Sequence, residues 1–224
     1  MIEVRRYLTR SGKDVVGEWL VGLNDLVAKA RIVARIDRIS AGNFGDCKSL
    51  GNAIFEIRID CGPGYRIYYA TLGSTCILLL CAGDKRKQSA DIRRAQENFT
   101  DYKERMGLNM RRKTSSATLR DADTNSQPAS ISHDEAMARD LSDSSTFAAE
   151  YLRAALEDQD EPRVLLIALR RIAESRGGLA KVAQEAGIER ESLYRVLSAK
   201  GNPRLSTLTA VIKAVGLKLT VEAA

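Results

Sequence analysis

The stretch IFEIRIDCGPGYRIYYA, residues 54–70, decides the fold of the first half of the chain. Phe55, Ile57 and Ile59 alternate with Glu56, Arg58 and Asp60; beyond Cys61-Gly62-Pro63-Gly64, Tyr65, Ile67 and Tyr69 alternate with Arg66 and Tyr68. Period-two alternation on both sides of a glycine-rich turn predicts a β-hairpin. Neighbouring strand residues point to opposite faces. Burying both apolar sets on one side therefore sends Glu56, Arg58, Arg66 and Tyr68 to the other. That register requires an odd number of loop residues or a bulge, which the glycines permit because they tolerate positive φ. The result is a sheet face that carries cations.

Outward from the hairpin, Ile2 and Val4 suggest an opening strand. Apolar residues at helical spacing predict a helix from about Asp14 to Leu23 and a second from about Asp25 to Ser40, broken by GNFGD at 42–46. A central strand over Thr75–Ala82 runs into GDKRK, which places Lys85, Arg86 and Lys87 at a strand end. Ile92, Ala95, Phe99 and Tyr102 mark a closing helix. The order β-α-α-β-β-β-α makes the first half an α+β domain with an antiparallel sheet.

The chain has 224 residues, enough for two small domains, and a net charge of +6 with a pI near 9.2. The charge is laid out in series: residues 1–106 are basic, 107–162 acidic and 163–224 basic. This favours a polyanionic partner for each basic part. The apolar runs around Ile77–Ala82 and Val164–Leu169 are far below the roughly 20 residues that cross a bilayer, and no signal-peptide pattern opens the chain. Both point to a cytoplasmic location and away from membranes. Cys47, Cys61, Cys76 and Cys81 show no Cys-x-x-Cys spacing and no nearby histidine, so neither a metal site nor a disulfide is expected, and no cofactor is implied.

Arginines on a sheet face suit phosphate, because the guanidinium fork matches phosphate oxygens, and a tyrosine beside them suits base stacking. Arg58, Arg66 and Lys85, with Tyr68, Arg86 and Lys87, are thus candidate RNA contacts. Cleavage by a ribose 2′-OH needs charge stabilisation at the phosphorane and proton transfer. The chain's one histidine, His133, lies outside this half. Fixed cations are then the strongest lever, each worth about 10²–10³ in rate. Glu56 is a candidate base and Lys85 a candidate acid.

The segments EIRIDCGPGYRIYYA and LLLCAGDKRKQSADIRRA resemble the RelE/HigB family of toxins, in its short addiction-module-killer branch, over residues 1 to about 106. The resemblance implies a ribosome-associated endoribonuclease that cuts translated mRNA. Arg66 would contact the scissile phosphate, with Arg58 and Lys85 assisting. The tyrosine that relatives carry on the closing segment falls near Asp91 and Ile92 here and is not filled.

Residues 107–144 read as an acidic, partly disordered linker, with no apolar period over 109–132. Phe147, Ala148, Tyr151, Leu152, Ala155 and Leu156 then form an amphipathic stripe that Asp143, Ser144 or Ser145 could cap. Two readings of this helix stand: packing within its own domain, or covering the basic first half as antitoxin segments do.

In GGLAKVAQEAGIERESLYRVLSAKGNP, residues 177–203, Ala183, Gly187 and the set Val182, Ala186, Ile188, Leu193 and Val196 have helix-turn-helix spacing. It predicts helices at about 179–186 and 190–199. The second would present Arg190, Glu191, Tyr194 and Arg195 to base edges, with Lys200, Asn202 and Arg204 at phosphates or flanks. Leu217–Val221 alternates as a short strand. Residues 145–222 resemble the HigA-type addiction module antidote, a dimeric repressor of its own operon. The chain then reads as a RelE-like toxin domain (1–106), a linker (107–144) and an all-α helix-turn-helix antitoxin domain (145–224). Its implied partners are ribosome and mRNA, operator DNA, and a toxin–antitoxin contact in cis or in trans, with a homodimer through the antitoxin part. The rival reading is a DNA-binding regulator whose first half is a non-catalytic RNA- or protein-interaction module.

Overall fold

The computed structural model describes residues 1–107 and 128–221. Two compact units emerge, and neither is a continuous stretch of chain. A sheet unit comprises Glu3–Gly22 and Gly45–His133; a helical unit comprises Met1–Ile2, Leu23–Phe44 and Asp134–Ala224. Of the predicted linker, 108–127 lies outside the described residues, whereas Ser130–Asp143 forms a strand and a helix.

In the sheet unit β1 (Glu3–Tyr7), β2 (Cys47–Gly51), β3 (Ile54–Ile59), β4 (Tyr65–Leu72), β5 (Cys76–Asp84) and β6 (Ser130–Ser132) lie in the order β2-β3-β4-β5-β1-β6. All neighbours are antiparallel except β1 and β5, which run parallel. Helix α1 (Val15–Val21) starts at Asp14, whose carboxylate accepts the Gly17 N–H at 2.8 Å and so satisfies a donor the helix cannot. A 3-10 turn at Lys85–Lys87 leads into α3 (Gln88–Arg105). Ala95, Phe99 and Tyr102 of α3 join Tyr7, Ile54, Tyr68, Ala70, Leu78, Leu80 and Cys81 in one apolar core.

The hairpin has the expected register: Ile57 faces Ile67, Arg58 faces Arg66 and Ile59 faces Tyr65, leaving 60–64 as a loop of odd length. What alternation alone did not show is that both faces are covered. Ile57 and Ile67 are buried on one side, where Trp19 of α1 meets Tyr65 edge-on with ring centroids 5.7 Å apart. Helix α3 covers part of the other.

Strand β6 comes from beyond the undescribed stretch and closes the β1 edge, an otherwise open row of backbone donors and acceptors. Arg5 Nε donates to the Ser130 hydroxyl at 2.8 Å, the Leu8 N–H to the Ala129 carbonyl at 2.9 Å, and Arg105 to the Pro128 carbonyl at 2.9 Å. Arg6, 1% exposed, donates to His133 Nδ1 at 2.9 Å and to Asp14 at 3.1 Å, so its buried charge is partnered.

The helical unit contains α2 (Leu26–Ser40), α4 (His133–Asp143), α5 (Ser145–Glu157), α6 (Arg163–Ser175), α7 (Leu179–Ala186), α8 (Arg190–Val196) and α9 (Leu205–Ala214). Asp25 caps α2 through the Ala28 N–H at 3.0 Å; Ser144 caps α5 through the Phe147 N–H at 3.1 Å. Helix α2 packs against α5 and α6, and α7 against α8 and α9. Met137, Phe147, Tyr151, Leu169, Ile172, Val182 and Leu193 are all fully buried. Each such apolar side chain contributes about 1.5–3 kcal/mol relative to exposure. Gly187, at φ 65°, turns the chain between α7 and α8, and the Ile188 N–H returns to the Ala183 carbonyl at 2.9 Å. Leu217–Val221, predicted as a strand, forms none: its alternation has no ladder to join among the described residues.

Candidate functional sites

Arg58 and Arg66 stand opposite each other on neighbouring strands and on the same face, so their guanidinium groups share one carboxylate, that of Glu56. Glu56 Oε1 accepts from Arg58 Nε at 3.0 Å and lies 3.4 Å from Arg66 Nε; Oε2 accepts from Gln88 Nε2 at 2.6 Å. Both Glu56 oxygens are engaged and the residue is fully buried. Where a base was expected at Glu56, the carboxylate is fully buried, accepts hydrogen bonds from Arg58 and Gln88 and sits in ion-pair range of Arg66, an arrangement suited to anchoring cations. The two arginines differ in access, Arg58 being 41% exposed and Arg66 11%. Asp46 lies 3.8 Å from Arg58 Nη1.

Tyr68 likewise departs from expectation. Its ring is fully buried in the core beneath α3 and has no face to offer a base. Its hydroxyl has no hydrogen-bond partner among the described residues, and burial, then the charges of Glu56 and Asp91, push the phenol well above its ordinary range.

Lys85 is exposed at the end of β5, and its N–H donates to the Gly64 carbonyl at 3.0 Å. A Cβ added to Gly64 would sit 3.8 Å from Arg66 Nη1 and 3.9 Å from Lys85 Cβ, so the lysine and the arginine flank the same turn. Arg86 and Lys87 are exposed as well, but Arg86 is folded back onto Asp84 at 3.0 Å, and that pairing holds the Asp84 carboxyl below its usual range. The structure thus brings Arg58, Arg66 and Lys85 to one end of the hairpin and takes Tyr68 out of reach.

Gln88 and Asp91 were given no role from the sequence. Both lie on the first turn of α3. Asp91 is 5% exposed; Oδ1 accepts from Arg94 at 3.0 Å while Oδ2 has no partner among the described residues, and burial raises its carboxyl above the ordinary range. Cys81 Sγ donates to the Asp91 carbonyl at 3.3 Å, and burial pushes that thiol up to about 11, an unreactive value. The spacing of Gln88 and Asp91, three apart where a helix begins, was the available signal.

A second candidate site is the α7–α8 pair. Arg190, Glu191, Tyr194 and Arg195 are all exposed on α8, and the Arg190 guanidinium sits 5.5 Å from the Tyr194 ring centroid, which pre-orders both side chains. Lys200 and Asn202 are exposed in the segment that follows, and Arg204 precedes α9. Among the described residues no three His, Cys, Asp or Glu side chains gather as a metal site, and no helix is long and apolar enough to cross a membrane.

Residues 18–100 match the family described as "Phage derived protein Gp49-like (DUF891)", and residues 133–223 the family described as "Probable addiction module antidote protein". Among curated proteins, a Haemophilus influenzae chain described only as "Uncharacterized protein" is 51% identical over 78 residues, which are 35% of this chain and 79% of that relative. A second one from the same organism, with the same description, is 40% identical over 72 residues, 32% of this chain and 72% of that relative. No solved structure matches. The chain belongs to the family of these Haemophilus proteins, and two of its segments match, in turn, a toxin-type Gp49-like family and a probable addiction module antidote family.

Proposed function

We propose that the chain is a toxin–antitoxin module in one polypeptide. Residues 1–106 act as a ribosome-dependent mRNA endoribonuclease, and residues 145–224 both neutralise it and bind operator DNA as a helix-turn-helix repressor, as a homodimer. The observation that carries the enzymatic part is the cross-strand pair Arg58–Arg66 held on one face by the buried Glu56, with Lys85 across the Gly64 turn. Cations fixed in this way need no reorganisation when charge develops on a phosphorane, which is the condition under which such donors lower a barrier most. Lys85, exposed and adjacent, is the group that can deliver a proton to the leaving oxygen. The DNA-binding part is supported by the exposed Arg190, Tyr194 and Arg195 on one short helix after a tight turn.

The test is expression of residues 1–106 beside the full chain, with ribosome-bound mRNA mapped for cuts. Growth arrest with new mRNA ends from 1–106, silence from the full chain, and no arrest from a 1–106 Arg66→Ala variant that retains its circular dichroism are the expected results. Harmless expression of folded 1–106 would favour the rival reading, a DNA-binding regulator with a non-catalytic first half. That rival draws on one observation, that Glu56 already offsets part of the charge of both arginines.

A further inference from the structure

Helix α2 lies within the Gp49-like match, yet it is built into the helical unit against α5 and α6 of the antidote match. Its centre there is polar. Asp37, fully buried, accepts from the Tyr151 hydroxyl at 2.5 Å through Oδ2 and from the Arg171 guanidinium through Oδ1. Tyr151 is fully buried and Arg171 is 5% exposed; Arg171 also donates to the Tyr151 hydroxyl at 3.2 Å and to Asp134 at 2.9 Å. Around this centre the charges are reversed. Lys29 of α2 lies 4.4 Å from the Phe147 ring centroid and 3.5 Å from Asp140; Arg31 pairs with Glu157 at 3.5 Å; Arg38 pairs with Asp158 at 3.5 Å and Asp160 at 2.7 Å.

Apolar helix faces associate without a carboxylate between them. Burying one is strongly unfavourable unless the facing surface supplies a cation and a hydroxyl at the right places. A central acid inside a ring of bases therefore adds little affinity over an apolar contact but rejects helices and grooves that lack the complement. We propose that the antidote segment is a helix-binding module whose α5–α6 face recognises α2 of this chain through Asp37, and that this recognition holds the two segments together without the connector. The occupant it fits is a basic amphipathic helix with one carboxylate in the middle of its apolar stripe. The proposal uses the toxin–antidote reading only to name the two segments.

The experiment is the full chain with a protease site inserted within 108–127, folded, cut, and followed on dilution by native mass spectrometry and size exclusion. The cut protein is expected to stay associated at micromolar concentration. Arg171→Met should weaken the association at least thirtyfold and Tyr151→Phe about three- to tenfold. The double variant Asp37→Leu/Arg171→Met should regain most of the loss, because both buried charges leave together. Pairing of β6 with β1 is untouched by these changes. Thermal unfolding of each uncut variant separates lost recognition from lost fold, and Tyr151→Phe keeps the Asp37–Arg171 pair should Arg171→Met fail to fold. Separation of the cut wild type, or effects under twofold for both Arg171→Met and Tyr151→Phe, would overturn the proposal. No activity is needed for this readout. Failure of folded residues 1–106 to arrest growth would remove the toxin reading and leave the association result standing.

Discussion

Replacing Glu56 by glutamine removes one charge and almost no volume from beneath the hairpin, which makes it a sharp test of how the arginines are held. The Gln88 contact at 2.6 Å can be remade, since a glutamine carbonyl also accepts. What disappears is the negative charge shared by Arg66, 11% exposed, and Arg58, 41% exposed. A buried charge-assisted interaction contributes about 1.5–3 kcal/mol, and the solvent-screened Arg58 pair adds little to that. The expected loss is therefore about 1.5–3 kcal/mol, mostly from stranding Arg66. Trp19, the only tryptophan, lies in the sheet unit against Tyr65, so its fluorescence in urea reports unfolding of the part that was changed. The midpoint should fall with an unchanged denaturant slope. A double-mutant cycle with Arg66→Gln should return a coupling of at least about 1 kcal/mol. A loss under about 0.5 kcal/mol, or additivity within that margin, would mean that Glu56 does not anchor the arginines.

Three further outcomes follow from particular contacts. Gly83→Ala would place a Cβ 2.0 Å from Asp91 Oδ2, and with Asp91 tied to Arg94 the strain should cost about 1–3 kcal/mol in the same fluorescence assay; an unchanged midpoint would contradict that close approach. The Tyr7 hydroxyl donates to Asp101 at 2.8 Å, and burial, then that bond, pushes its phenol up to about 12 from 10.0. A raised phenol stabilises the fold while protonated, so its contribution is whole below about pH 10 and disappears as pH climbs through about 12. Tyr7→Phe should lack this alkaline loss, and identical pH profiles for the two proteins would count against the assignment. Lys200→Ala should weaken binding to operator and random duplex alike and lower the salt slope by about one, whereas Arg195→Ala should chiefly relax sequence preference; the reverse pattern would exchange their roles.

The hairpin was legible because its signal is local: alternation sets which residues share a face, and loop parity sets the register. The same reasoning placed α1, α2 and α7 to within about two residues, since their apolar spacing lies within each segment. It failed where a partner distant in sequence decides. Tyr68 looked outward-facing until α3 covered its side of the sheet, and Glu56 looked like an available base for the same reason. Strand β2, Cys47–Gly51, carries no alternating apolar set, being an edge strand with three exposed residues, so nothing announced it. Leu217–Val221 shows the converse: local alternation without a strand to pair with.

Strand β6 bears on the order in which the molecule can be completed. A ribosome delivers β1 first, and its outer neighbour arrives only after some 125 further residues, when Ser130–Ser132 leave the exit tunnel at the threshold of the antidote segment. Until then the nascent sheet has a bare margin. Maturation of the first half is in this way timed by arrival of the second, and a chain truncated before residue 130 would emerge with an unfinished border.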